Sequence, residues 1–87
     1  MSVFEQLQTR LNALYRTDPV IHITVSFSRP KAEMRDQPVR IVGVYKNLFR
    51  VQDITVDYPK FYSYQYVDVL TGNVKIRELA EKKQTSL

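Results

Sequence analysis

Val20-Ile21-His22-Ile23-Thr24-Val25-Ser26-Phe27 sets Ile21, Ile23, Val25 and Phe27 in strict alternation with His22, Thr24 and Ser26. A period of two marks a strand with one face buried and the other solvated. Immediately upstream the period changes. Val3, Phe4, Leu7, Leu11, Leu14 and Tyr15 recur at three- and four-residue spacing, which gathers them on one side of a helix and leaves Glu5, Gln6, Thr9, Arg10 and Asn12 toward water. Ser2-Val3-Phe4-Glu5 reads as a capping box, the Ser hydroxyl accepting from the Glu5 N–H. Asp18-Pro19 stops the helix, because a residue before proline avoids the helical region. The expected helix covers residues 2–17.

Downstream, Ser28 to Pro38 contains two prolines and alternating charges and reads as an exposed loop. Val39 to Tyr45 is a second strand, in which Gly43 marks a bend, a bulge or a close backbone approach. Lys46-Asn47 forms a short turn, since Asn tolerates the positive φ of tight hairpins, and leads into a third strand, Leu48 to Asp53. Asp57-Tyr58-Pro59 interrupts the pattern before a fourth strand, Phe61 to Val67. Asp68 to Asn73 is a turn centred on Thr71-Gly72-Asn73, and Val74-Lys75-Ile76 is a short fifth strand. Residues 78–87 have no sustained apolar face and read as a frayed or disordered tail without assigned function.

The expectation is one domain over residues 1–77, mainly β: a small five-stranded antiparallel sheet curled into a barrel or half-barrel, with one N-terminal amphipathic helix across an opening. A ferredoxin-like α+β arrangement is disfavoured by the lack of a second strong helix. Eighty-seven residues allow one core and bury only roughly 60–65 % of the unfolded surface, which makes self-association or a partner an expectation. Barrel closure or dimerisation would also cover the two edge strands of such a sheet.

Composition removes several chemistries. The chain has no Cys, so a disulfide framework, a thiolate metal site and a cysteine nucleophile are excluded, and a reducing, cytoplasmic compartment is favoured. The first residues lack a secretory signal pattern, and no apolar run approaches the ~20 residues that cross a bilayer, so no membrane role is expected. One His and two Gly leave no His-pair metal site and no phosphate-cradling loop. No cofactor and no catalytic residue is assigned. The net charge of +4 is localised: Arg29, Lys31, Arg35, Arg40, Lys46 and Arg50 against Glu33 and Asp36 account for all of it.

Ser63, Tyr64, Tyr66, Asp68, Val69, Leu70, Thr71 and Val74 match a pattern of the form S-Y-x-Y-x-D-[VI]-L-T-x-x-V within Phe61 to Val74. This run resembles the C-terminal signature of the Veg family, small proteins of Gram-positive bacteria. Gly43-Val44-Tyr45 and Leu48-Phe49-Arg50-Val51 fall where that family has its central hairpin, and the similarity spans roughly residues 2 to 77. The resemblance implies an SH3-like small barrel and a cytoplasmic, non-enzymatic regulator linked to transcription and to biofilm formation.

Two surfaces follow as candidates. Tyr62, Tyr64 and Tyr66 share one face of the fourth strand, where they either stack bases or a proline-rich peptide, or line the core or a subunit interface. The cations from Arg29 to Arg50 either meet phosphates or form a solvated face. His22 has no carboxylate or nucleophile placed beside it by the sequence and reads as a surface or interface residue. Asp68 reads as a turn or helix-start cap, and Asp53 and Asp57 as turn residues. The leading expectation is a homo-oligomer that regulates through a protein partner, and the alternative is RNA or DNA binding by the basic 29–50 face.

Overall fold

A computed structural model describes residues 2–28 and 31–79. Helix α1 (Val3–Thr17) is followed by β1 (Val20–Ser28), β2 (Lys31–Val44), β3 (Leu48–Asp53), β4 (Phe61–Gln65), the short helix α2 (Tyr66–Leu70) and β5 (Val74–Ile76). Ser2 caps α1 by accepting from the Glu5 N–H at 3.2 Å. At the other end the Asp18 N–H donates to the Leu14 carbonyl at 2.8 Å, and Pro19 carries the chain out.

The strands form one antiparallel sheet in the order β4-β3-β2-β1-β5. It is not closed: β4 and β5 remain separate edges, so the half-barrel is realised and the full barrel is not. One face carries Ile21, Ile23, Val25, Val39, Ile41, Phe49, Val51, Tyr64, Val74 and Ile76, all buried, and Leu7 and Leu11 of α1 complete that core. Burial of this face is the main stabilising term, since each large side chain taken from water contributes about 1.5–3 kcal/mol. The apolar stripe of α1 is covered only along Leu7, Leu11 and Leu14, while Val3, Phe4 and Tyr15 stay exposed.

The sequence reading of Ser28 to Pro38 as a loop is corrected. β2 starts at Lys31 and pairs with β1 in a long hairpin. Its pairing slips between Ile23 and Val25, where Asp36 adopts φ 49° and donates its N–H to Thr24 Oγ1 at 3.0 Å. This bulge bends the ribbon and absorbs the polar run. Pro38 sits inside a central strand because the side on which it lacks an N–H faces β3 beyond Asp53, the last paired residue there. A second bulge lies between Ile41 and Gly43, as one of the readings of Gly43 anticipates, and the Tyr45 ring lies where a Cβ at Gly43 would stand.

The Tyr45–Leu48 hairpin turn is formed without positive φ at Asn47, contrary to the reason given for Asn there. The fourth strand ends at Gln65, short of Val67, and Tyr66–Leu70 turns helical, with Gln65 rather than Asp68 in the cap position. Gly72, at φ 89°, then reverses the chain into β5. The folded unit continues through Glu78 and Leu79, which belong to a helical turn after β5; Leu79 packs on the core, and its carbonyl accepts from Arg10 at 3.0 Å. The rest of the expected tail, 80–87, lies outside the described residues.

Leu11 is fully buried and is the central contribution of α1 to the core. Leu11→Ala should therefore lower unfolding free energy by about 2–5 kcal/mol in chemical denaturation, through lost transfer energy and a residual cavity.

Candidate functional site

The two surfaces named from sequence have different fates. Tyr64 and Tyr66 are core residues, and Tyr62 is half-buried beside them. Phe49 stacks on Tyr66 with ring centres 6.2 Å apart and meets Tyr64 at 5.9 Å, while Tyr62 and Tyr64 stack at 6.1 Å. The Tyr66 hydroxyl donates to the Tyr45 carbonyl, and the Tyr64 hydroxyl reaches Met34 Sδ on β2 at 3.7 Å. Burial first, then the neighbouring Tyr62 and Asp53, pushes the Tyr64 phenol up to about 12; burial also raises Tyr66, against the bond to Tyr45. The Tyr64 and Tyr66 rings hold the fold and are closed to a stacking ligand.

Among the described residues the marked cations do not gather into one patch. Arg29 and the Lys31 side chain lie outside the described residues. Arg35 sits at the β1–β2 bulge and pairs with Glu33 at 3.3 Å. Arg40 lies on the outer face of β2, roughly 15 Å further along the strand at about 3.3 Å per residue. Lys46 is in the β2–β3 turn. Arg50 is the one cation on β3, and the register places it diagonally next to Arg40, whose direct partner is Gln52. Its guanidinium lies 4.4 Å from the centre of the Phe61 ring, on the adjoining strand. Among the described residues neither Arg40 nor Arg50 has a carboxylate partner. The core side of the sheet is sealed, so this outer face offers Arg40, Arg50, Gln52, Phe61 and the exposed Tyr45 and Lys46 to solvent.

Two carboxylates fasten the fold: Asp53, read from sequence as a turn residue, and Glu78, whose role sequence reasoning missed. Asp53 is 5 % exposed, and one of its oxygens accepts from the Thr55 hydroxyl, the Thr55 N–H and the Gln37 amide, at 2.5, 2.8 and 3.1 Å. The Thr55 hydroxyl and backbone bonds hold its carboxyl below the ordinary range, against desolvation. Glu78 accepts the His22 N–H on one oxygen at 2.8 Å and faces the His22 Nδ1 with the other at 2.7 Å. Burial works to raise this carboxyl, and the His22 bonds outweigh it, so the net direction is down. A deprotonated carboxylate only accepts, so the Nδ1 donates. Both Glu78 oxygens are engaged by His22, which makes the pair a clasp between β1 and the C-terminal turn. A spacing signal for Asp53 existed in the Asp-x-Thr of an Asx turn, whereas Glu78 and His22 stand 56 positions apart and gave none.

Among the described residues no cluster of three or more His, Cys, Asp or Glu could hold a metal, and no helix is long and apolar enough to cross a membrane. A depression of ≈ 470 Å³ is lined by Phe4, Asn47, Leu48, Gln65, Tyr66 and Val67. Its walls are apolar and amide, with no ionisable group other than the Tyr66 phenol.

Because both carboxyls are depressed on folding, each stabilises the protein above its unfolded value, near 4.5 for Glu78 and 3.8 for Asp53, and that contribution disappears as pH falls through the lower folded value. Denaturant midpoints measured from pH 6 to pH 2 should fall steeply in the native chain. Glu78→Gln and Asp53→Asn should each be less stable at pH 6 and show a shallower acid limb, with Asp53→Asn costing about 1–3 kcal/mol as its donors lose their acceptor. Neither a protein-family model nor a curated protein matches this chain.

Proposed function

We propose that this chain is a non-enzymatic regulatory module that works through protein–protein contacts in the cytoplasm, in the sense its Veg-like run implies: regulation of transcription and of biofilm formation. The observation that supports this reading is the Arg50–Phe61 stack beside Arg40 on an open sheet face. Arginine and aromatic side chains on a rigid strand surface are the residues that dominate protein interfaces, because they bring large contact area and directional donors at low entropy cost. Two adjacent guanidinium groups without carboxylate partners fit a partner surface that supplies acidic side chains.

Direct nucleic-acid binding is the second reading, supported by the same unpaired cations. It would engage Arg40, Lys46 and Arg50, about three phosphates, so log K should fall against log salt with a slope of about −2.7 at 0.9 per phosphate. Arg35 stands apart with its own acid, which favours the protein reading over a longer phosphate track.

Affinity capture with the tagged chain from its own cytoplasm, with and without nuclease, separates the two. A specific protein should be retained through nuclease treatment, and Arg50→Ala should weaken its purified complex at least tenfold, as expected for a hot-spot residue. Loss of all retained material on nuclease treatment, together with salt-steep anisotropy on labelled single strands, would favour the second reading. An Arg50→Ala variant that binds as well as the native chain would remove this face from either.

A further inference from the structure

Among the described residues no strand pairs with the outer edge of β4. Pairing with β3 uses the backbone groups of Tyr62 and Tyr64, so the register turns the N–H and C=O of Phe61, Ser63 and Gln65 outward. Exposed edges are normally blunted by charge, proline, a bulge or brevity. Phe61-Tyr62-Ser63-Tyr64-Gln65 has no charge and no proline, and its ladder to β3 is unbroken. The opposite edge, β5, is only three residues long and carries Lys75 in its centre.

We propose that β4 pairs with β4 of a second copy of this chain, antiparallel about a two-fold axis at Ser63, to give an isologous dimer with a continuous ten-stranded sheet. The segment is self-complementary about that axis. Ser63 meets its own copy, Phe61 opposes Gln65, and Tyr62 opposes Tyr64, with no like charges facing each other within the strand. The flanking charges agree: Lys60 of one copy runs toward the end of the other's β4, where Asp68 lies in the first turn of α2. A five-residue strand by itself falls short of the roughly 1,200 Å² that a stable interface takes. The remaining area comes from the depression at that same end, whose rim holds the exposed Phe4 and Val67 and toward which the exposed Tyr58 of the second copy is carried. The dimer does not depend on which macromolecule the Arg40–Arg50 face meets, since the pairing uses backbone groups of the edge.

Sedimentation velocity on the full chain from about 1 µM to 1 mM tests the assembly. The native chain should pass from monomer to dimer and stop there. Ser63→Pro removes an N–H that β3 does not use, so it should leave the circular dichroism spectrum unchanged and weaken dimerisation at least tenfold. Ser63→Lys, which places two like charges at the axis, should do the same without any backbone change. Since the chain has no native Cys, Ser63→Cys supplies a position-specific probe. Paired Cα atoms at about 5.5 Å lie within disulfide reach, so mild oxidation should link the copies, whereas Asn12→Cys on the helix should not link. A chain that stays monomeric throughout, a larger assembly, or a dimer that ignores all three Ser63 variants would overturn the proposal. Any of these results leaves the Arg50→Ala outcome to be judged separately.

Discussion

The stack of Tyr66 on Phe49 holds the rest of this fold in place. Phe49 is on β3, and Tyr66 is the first residue after the β4 ladder ends. The Tyr66 hydroxyl is tied to the Tyr45 carbonyl in the hairpin turn, so one side chain fills the core and also fixes where the chain leaves the sheet. From that point α2 contacts α1, β4 and β5, and the sheet is kept curled around Leu7 and Leu11. A phenol suits this position because its ring adds buried area while its hydroxyl satisfies a carbonyl that would otherwise lose water.

A domain this small has little interior to spare, and it finishes its strands with carboxylates. Asp53 takes the donors of Thr55 and Gln37 where β3 ends, Glu78 takes the His22 N–H where β5 ends, and Asp36 at the bulge receives both Nη2 and Nε of Arg77 at 2.6 and 2.9 Å. The Arg77 pair is exposed on both sides and contributes little to stability. Asp53 and Glu78 differ from it because they replace backbone partners that the ladder no longer supplies. The outer backbone groups of β4 have no strand partner among the described residues, and Arg40 and Arg50 lie on the outer face beside it.

Much of this was legible in the chain itself, and the failures have identifiable causes. The capped helix and the alternating β1 strand were readable because each signal lies within one turn or one strand. Ser28 to Pro38 looked like a loop because charges and prolines are poor strand formers. A hairpin solvated on one side tolerates them, however, once a bulge absorbs the mismatch and the proline's missing N–H falls beyond the last β3 partner. The tyrosine run was visible as a stripe, yet period alone does not say which side of a strand meets the core. Of the marked cations whose side chains are described, Arg40 and Arg50 are brought side by side, because they lie on paired strands near one another in register.

The one-dimensional order of residues determined the capped N-terminal helix, the alternating β1 strand, the mainly β class and the absence of thiol chemistry, since all of these depend on neighbours within a few positions or on composition alone. The tertiary structure decided that the sheet stays open, that Tyr64 and Tyr66 are interior, that Glu78 clasps His22, and that Arg50 lies over Phe61. Each of these contacts joins residues from different elements, and only the strand register and the curl of the sheet set their distance.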